Sequence, residues 1–364
     1  MRRLLYALVT ALLVAGCSNE EYGEYYPDIS TRELHYISRS GDVVEFNDDA
    51  FDAPIISNTY ESGRGVVRFA ASLRRIGFLG SADITSITIP TTVKTFEGNP
   101  FRNCKNLARF ISAYATSDGY ALVSDSELIA LARNYREEQY DVPYGVKAIG
   151  ENALCGSLVK RVSMPNSVTK IGDRAFCDCP NLESLVLPER LEELGCEVCA
   201  DCINLREVVL PPTLALDDAF AGFVGCYSLE SFSGACASED GRCIVVNNTL
   251  YAFAPMALQE YTIPAGVTAI ADRSFAECDR LQKITIPPSV QKLGYGAFYN
   301  CTHLSDVYLR PATPPTIDSG TGSADLFGNA PSNLTIYVPM ASVARYTSNA
   351  NWARYEEHIQ GSYF

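Results

Sequence analysis

Histidine is scarce in this chain: His35, His303 and His358 are the three in 364 residues. Ser–His–carboxylate catalysis and histidine-rich metal centres have little to draw on, and the three lie far apart in sequence. Basic residues are also few, 29 Lys plus Arg against 43 Asp plus Glu, for a net charge of −14. A phosphate-backbone footprint needs clustered Lys and Arg, so this balance argues against nucleic acid as a partner. Beyond the first seventeen residues no apolar run is long enough to cross a bilayer. By contrast 21 Tyr, 16 Phe, 19 Pro and 13 Cys supply rigid anchors and many strand terminators. With 47% hydrophobic and 20% charged residues, the composition points to an acidic, β-rich folded body. The length fits two or three ordinary domains or one elongated repeat array.

Residues 1–17 read as an export signal: Arg2 and Arg3, then the apolar run Leu4–Ala15 and a small residue before Cys17. Twelve residues rise only about 18 Å as a helix, short of a bilayer core of roughly 30 Å. Leu13-Val14-Ala15-Gly16-Cys17 resembles a bacterial lipobox, in which Cys17 is lipidated and becomes the new N-terminus. Ser18 after Cys17 resembles the sorting of lipoproteins to the outer membrane, and the following Glu20-Glu21 resembles a signal for the cell exterior. Residues 18–30 read as a Tyr- and Glu-rich tether. Attachment would rest on acyl chains, each buried CH₂ contributing about 0.8 kcal/mol, because an acidic body is repelled by anionic lipid.

A repeat dominates the remainder. Pro165, Pro188 and Pro211 recur every 23 residues, as do Pro264 and Pro287, with weaker rungs around Pro90 and Pro143. In Leu182-x-x-Leu185-x-Leu187-Pro188 the alternation is that of a strand, Leu185 and Leu187 inward and Ser184 and Val186 outward, ended by a proline that cannot donate to the ladder. A second extended piece, Val168–Ile171, turns at Gly172, and Ala175-Phe176-x-x-Cys179 suits a short helical turn. Phe101, Phe176, Phe223, Phe275 and Phe298 occupy one large inward slot per rung, with Leu154 and Cys199 as substitutes. One rung cannot cover its own ring, whereas a stack can.

Two interruptions, 110–132 and 232–254, align with each other without gaps, Asp118-Gly119 matching Asp240-Gly241. They read as hairpin excursions duplicated with the array. An open stack also needs covered ends. Residues 31–65 read as an N-terminal β cap, 66–335 as the solenoid, and 336–364 as a C-terminal helical cap in which Val343, Tyr346, Trp352, Tyr355 and Ile359 form a broken apolar face.

The pattern Leu-x-x-Ile-x-Ile-Pro-x-x-Val-x-x-Ile-Gly-x-x-Ala-Phe-x-x-Cys-x-x-Leu, nearly intact at 258–281 and 281–304, is similar to the BspA-type leucine-rich repeat. The resemblance covers roughly 34–359 and implies a curved, right-handed leucine-rich-repeat solenoid with a parallel sheet of short strands. It also implies a surface protein of a gut- or oral-type bacterium, in a family associated with adhesion to host matrix proteins. The motif is a scaffold motif and carries no ligand residues.

Four constellations invite a chemical reading. Cys196-x-x-Cys199-x-x-Cys202 has thiolate spacing suited to zinc or an iron–sulfur cluster. Yet Cys202 is the rung cysteine, in register with Cys104, Cys179, Cys226, Cys278 and Cys301, and Cys199 fills the ring slot; no metal or other cofactor is expected. Cys236 and Cys243 flank the Asp240-Gly241 turn, but a two-residue turn opposes Ser238 to Cys243 and leaves Cys236 diagonal. Asp217-Asp218 and Glu192-Glu193 read as solvated surface. Ser62-Gly63-Arg64-Gly65 lacks the Lys and following helix of a phosphate loop.

What remains is the outward strand positions: Ser86, Thr88, Arg161, Ser163, Ser184, Val186, Glu207, Val209, Glu260, Thr262, Lys283, Thr285, Asp306 and Tyr308. In register they form one continuous face, the usual recognition surface of a solenoid, and the protruding excursions offer a rival surface. The expected function is non-catalytic binding of host or neighbouring-cell proteins by a lipid-anchored outer-membrane protein facing outward. The alternative is capture of glycans or nutrients for an outer-membrane uptake system, which exposed aromatic pairs would favour.

Overall fold

The computed structural model describes residues 29–212, 214–318 and 325–364. The export signal, Cys17 and most of the tether lie outside the described residues. The chain coils as a β-solenoid with two parallel strand ladders per turn. One ladder carries the strands that precede the rung prolines, such as Arg161–Ser163, Ser184–Val186 and Glu207–Val209; the other is made of two-residue strands such as Ala148–Ile149, Lys170–Ile171 and Glu193–Leu194. Residues one period apart pair directly, Arg161 with Ser184 and Ser184 with Glu207 in the first ladder, Lys170 with Glu193 in the second.

The alternation read from sequence sets the core. Leu185 and Leu187 are buried while Val186 between them is 56% exposed. Phe176, Phe275 and Phe298 are fully covered by their neighbouring turns, each burial contributing about 1.5–3 kcal/mol. Toward the C-terminal end the rings form a column, Phe253, Phe275, Phe298 and Phe327, with successive centroids 4.8, 5.1 and 5.5 Å apart.

The segment that follows each two-residue strand explains two motif positions. It contains no regular helix; instead it is a run of turns with Arg174 and Asp178 in the left-handed region, at φ +56° and +54°. That conformation turns alternate N–H groups toward the next coil: Arg174 N, Phe176 N and Asp178 N donate to the carbonyls of Cys196, Val198 and Ala200 at 2.9 Å each. The carbonyls of four ring-slot residues then take the S–H of the next rung cysteine: Cys179 to Leu154 O, Cys202 to Phe176 O, Cys226 to Cys199 O and Cys301 to Phe275 O, at 3.0–3.2 Å. A buried carbonyl needs a donor, and cysteine supplies a small one with a hydrophobic body. The motif glycine has a steric reason: a Cβ on Gly195 would lie 2.4 Å from the backbone of Gly172 and Asp173 in the previous coil.

The pairing of the first ladder is not continuous. It divides into three five-stranded sheets, broken after Arg109–Ile111 and after Ser231–Ser233. At both breaks the Asp-Gly turn of an excursion takes the place of the next strand: Phe110 N donates to Gly119 O and Phe232 N to Gly241 O, at 2.8 and 2.7 Å. Each excursion also has a second, tighter turn that the sequence reading did not foresee, at Asp125-Ser126 and at Asn247-Asn248, all four residues with positive φ. These join Ala121–Ser124 to Glu127–Leu131 and Cys243–Val246 to Thr249–Phe253 as antiparallel hairpins in the second ladder.

At the N-terminal side, Ile55–Glu61 and Arg64–Phe69 form a hairpin, and Glu33–Ser38 pairs antiparallel with both Arg64–Phe69 and the first rung strand, Ile84–Thr88. The last of the hairpin strands runs past residue 65. At the C-terminal side the segment expected to be helical holds one five-residue α-helix, Val343–Thr347, and 3₁₀ turns. It closes with a strand, Ile359–Ser362, that extends the sheet beside Thr335–Pro339. Tyr346 and Trp352 are fully buried there, and each donates to a proline carbonyl: Tyr346 Oη to Pro311 O and Trp352 Nε1 to Pro315 O.

Candidate functional site

The fourteen outward residues lie on the first ladder, but on three separate sheets. Ser86 and Thr88 sit on the N-terminal sheet and are half-buried against the added strand, where Ile37 pairs with Ser86 and His35 with Thr88. The other twelve divide between the central sheet and the C-terminal one. The excursion turns separate the groups, so the expected single continuous face is three facets.

On the central sheet the register brings Gln139, Arg161, Ser184, Glu207 and Ser231 into one row and Asp141, Ser163 and its successors into the next. A groove of about 400 Å³ runs over Arg161, Ser163, Asn166, Ser184 and Val186. Arg161 and Glu207 are exposed, and among the described residues neither makes an ion pair; Ser184 stands between them. Two strand spacings place the two charges roughly 10 Å apart across that serine. Val186 supplies exposed apolar area, and Val209 on the next strand is half-buried. The facet therefore offers one cation, one anion, hydroxyls and a hydrophobic contact, all carried on strands rather than on loops.

The C-terminal facet differs. Lys283 is committed to Glu260, Nζ to Oε2 3.1 Å, and stands 5.3 Å from the Tyr308 ring; the hydrogen bond with Glu260 and that carboxylate's charge raise the lysine above its ordinary range. Tyr308 stacks on Tyr337 of the neighbouring strand, centroids 4.6 Å apart and planes 17° apart. Phe364 meets Tyr308 edge-on at 6.1 Å, and the Arg310 guanidinium lies 5.5 Å from the Phe364 ring. The final residues thus bend over this facet and line a hollow of about 470 Å³ with Glu260, Thr262, Lys283 and Tyr308. Thr285, expected to be outward and accessible, points outward but is only 8% exposed beneath this cover. Tyr337 was missed by counting rungs because the chain takes a longer path between Asp306 and Thr335, which pair directly.

The other candidates are occupied elsewhere. Cys199 and Cys202 are fully buried in the stack, whereas Cys196 is partly exposed, so the three do not converge. Cys236 Sγ points to Pro211 O and Cys243 Sγ lies 3.1 Å from Tyr261 Oη, which leaves them unjoined. His35 contacts Glu33, His303 contacts Thr302, and His358 contacts Leu334 O, in three distant parts of the coil. Glu193 and Asp218 are not merely solvated: they make inter-rung ion pairs with Lys170 and Lys292, both at 2.7 Å. No helix among the described residues is long and apolar enough to cross a membrane.

Comparison with known proteins bears on this architecture. The model of the BspA type leucine rich repeat region matches six copies, over residues 68–118, 133–236 and 249–321. No curated protein sequence matches. Among solved structures, a leucine rich cell surface protein of Faecalibacterium prausnitzii is 27% identical, covering 65% of this chain and 51% of its own, with a TM-score of 0.38. A leucine-rich repeat protein of Bacteroides ovatus is 22% identical, covering 79% and 77%, with a TM-score of 0.46. The pneumococcal vaccine antigen PcpA is 15% identical, covering 88% and 97%, with a TM-score of 0.35. The chain spans about half the length of the Faecalibacterium protein.

Proposed function

Because the chain belongs to the BspA-type leucine-rich repeat family, whose repeats build binding scaffolds, we propose that it is a non-catalytic surface protein that docks a protein ligand on its central facet. The observation that carries this reading is the groove over Arg161, Ser184 and the exposed Val186, on a rigid sheet where Arg161 and, one strand beyond the groove, Glu207 flank Ser184 without an ion pair among the described residues. Interfaces draw most of their energy from a few desolvated anchors, and unpaired charges set orientation and partner choice. Rigid strands lose little conformational entropy on binding. We further read the protein as lipid-anchored through Cys17 at the outer membrane, with residues 18–30 as its tether and a host matrix or cell-surface protein as partner.

The test is a pull-down of host-derived and neighbouring-cell proteins with residues 18–364, followed by affinity measurement on the protein captured. Replacing Arg161, Val186 and Glu207 together should weaken binding at least about tenfold. An unchanged affinity removes this facet from the reading. A second reading, capture of glycans or nutrients for an outer-membrane uptake system, draws support from the Tyr308–Tyr337 stack, since aromatic faces and edges suit sugar rings. Binding on a glycan array that is lost in Tyr308→Ala, with no protein captured, would establish it instead.

A further inference from the structure

Two cysteines outside the rung-cysteine register meet in the turn segments of adjacent coils. Gly156 N donates to Cys177 O and Leu154 N to Ala175 O, both at 2.8 Å, so these segments of adjacent coils run side by side. Cys155 and Cys177 face each other across that pairing, with their Sγ atoms 2.8 Å apart. That is well inside the roughly 3.5–4.0 Å at which non-bonded heavy atoms rest. The inter-strand spacing of about 4.8 Å also falls within the Cα window of about 4.4–6.8 Å for a disulfide. Both thiols are buried, and the column of equivalent positions continues with Ala200 rather than a third cysteine. The rung cysteines Cys179, Cys202, Cys226 and Cys301 point instead at carbonyls. The pair also sits at a structural joint: the Arg133 guanidinium, from the end of the first excursion, donates to Cys155 O and to Arg102 O.

We propose that Cys155 and Cys177 are a disulfide-forming pair that covalently ties two successive coils beside the first excursion. The hydrogen-bond contact with Cys155, opposed by burial and aided by Arg174, holds the Cys177 thiol below its ordinary range, and the same contact together with burial raises Cys155. Cys177 is therefore the attacking thiolate. The oxidant is an external disulfide: Cys177 attacks one of its sulfurs and releases the first external thiolate. Cys155 then gives up its proton, attacks the Cys177 sulfur and expels the second. Two protein thiols are oxidised and the external disulfide becomes two thiols. Because Asp178 lies within metal-ligand reach of both sulfurs, the competing outcome is a thiophilic metal site.

The test needs no knowledge of export or of the binding partner. The purified, reduced full chain is exposed to oxidised glutathione, unfolded, alkylated without reduction, digested and mapped by mass spectrometry, with fragment spectra that separate Cys177 from Cys179. The expected result is a single crosslinked peptide joining Cys155 to Cys177 while the remaining thiols are alkylated. In Cys155→Ser, Cys177 should retain glutathione as the trapped mixed disulfide. Free Cys155 and Cys177 in the oxidised wild type, or crosslinks spread along the rung cysteines, would overturn the proposal. So would stoichiometric zinc that protects both thiols from oxidation and is lost in either serine variant. Reducing agent should also lower the melting temperature of the oxidised wild type but not of a variant carrying both Cys155→Ser and Cys177→Ser; an equal response in both would refute the staple.

Discussion

The two excursions provide an internal control on the energetics of a buried hydroxyl. Tyr140 follows the first excursion and Tyr261 the second, both on the first face strand after the break, and their rings are 4% and 8% exposed. Tyr261 Oη donates to Asp240 Oδ2 at 3.1 Å and lies 3.1 Å from Cys243 Sγ. Tyr140 Oη is buried and has no hydrogen-bond partner among the described residues. The position that carries Cys243 in one excursion is Ala121 in the other; Asp118 and Asp240 accept the same two bonds on Oδ1, but only the Oδ2 of Asp240 accepts from the tyrosine. A hydrogen bond to a charged acceptor contributes about 1.5–3 kcal/mol, whereas a buried hydroxyl left without a partner costs about 1–3 kcal/mol. Tyr261→Phe should therefore destabilise by roughly 2 kcal/mol, and Tyr140→Phe should be neutral or stabilise by up to about 1 kcal/mol. A repeat array opens in sections, so the readout is hydrogen exchange of the two face strands together with the thermal midpoint. Equal losses in the two variants would refute the reasoning, because Tyr140 would then have a partner of its own.

Gly195→Ala should destabilise by about 1–3 kcal/mol, since its Cβ would overlap the previous coil's backbone; a thermal midpoint within error of wild type would contradict the contact. Glu33 is held below the usual carboxylate range first by its hydrogen bond with His35 and then by Arg68, with burial opposing. Its stabilising contribution is complete above the unfolded carboxylate pKa and is lost as pH falls through the lower folded one. Thermal midpoints recorded on acidification below about pH 4 should therefore fall more steeply in wild type than in Glu33→Gln. Cys17→Ser should abolish acyl labelling and release the protein from membranes, and persistent labelling would remove the lipid anchor from the reading.

Much of the fold was legible because one physical requirement repeats. Each turn must hand its apolar interior to the next, so the prolines, the Phe slot and the Leu185/Val186/Leu187 alternation all declare the same period. What escaped the sequence is what depends on the neighbouring coil rather than on local preference. Arg174 adopts a left-handed conformation that its residue type does not announce, and Asp178, a type more tolerant of it, does the same, both bonded to the next coil at Cys196 and Ala200. The turn at Asp125-Ser126 carries no glycine to mark it. Of the binding face, the outward register was readable, but its division into facets follows from where the excursion turns fold back. Cys155 and Cys177 each follow a ring-slot residue, Leu154 and Phe176, so the period aligns them, but the next rung has Ala200 there and the position carries no recurring cysteine that would single it out.

Since Phe110 and Phe232 meet their respective turns through the same bond, to Gly119 and to Gly241, the stretch of coils between these junctions begins and ends on identical chemistry. Such a block is interchangeable: a copy gained or lost would splice onto existing joints without a new fit having to evolve. Whole cassettes of coils could in this way be added or removed while every surviving coil keeps its neighbours.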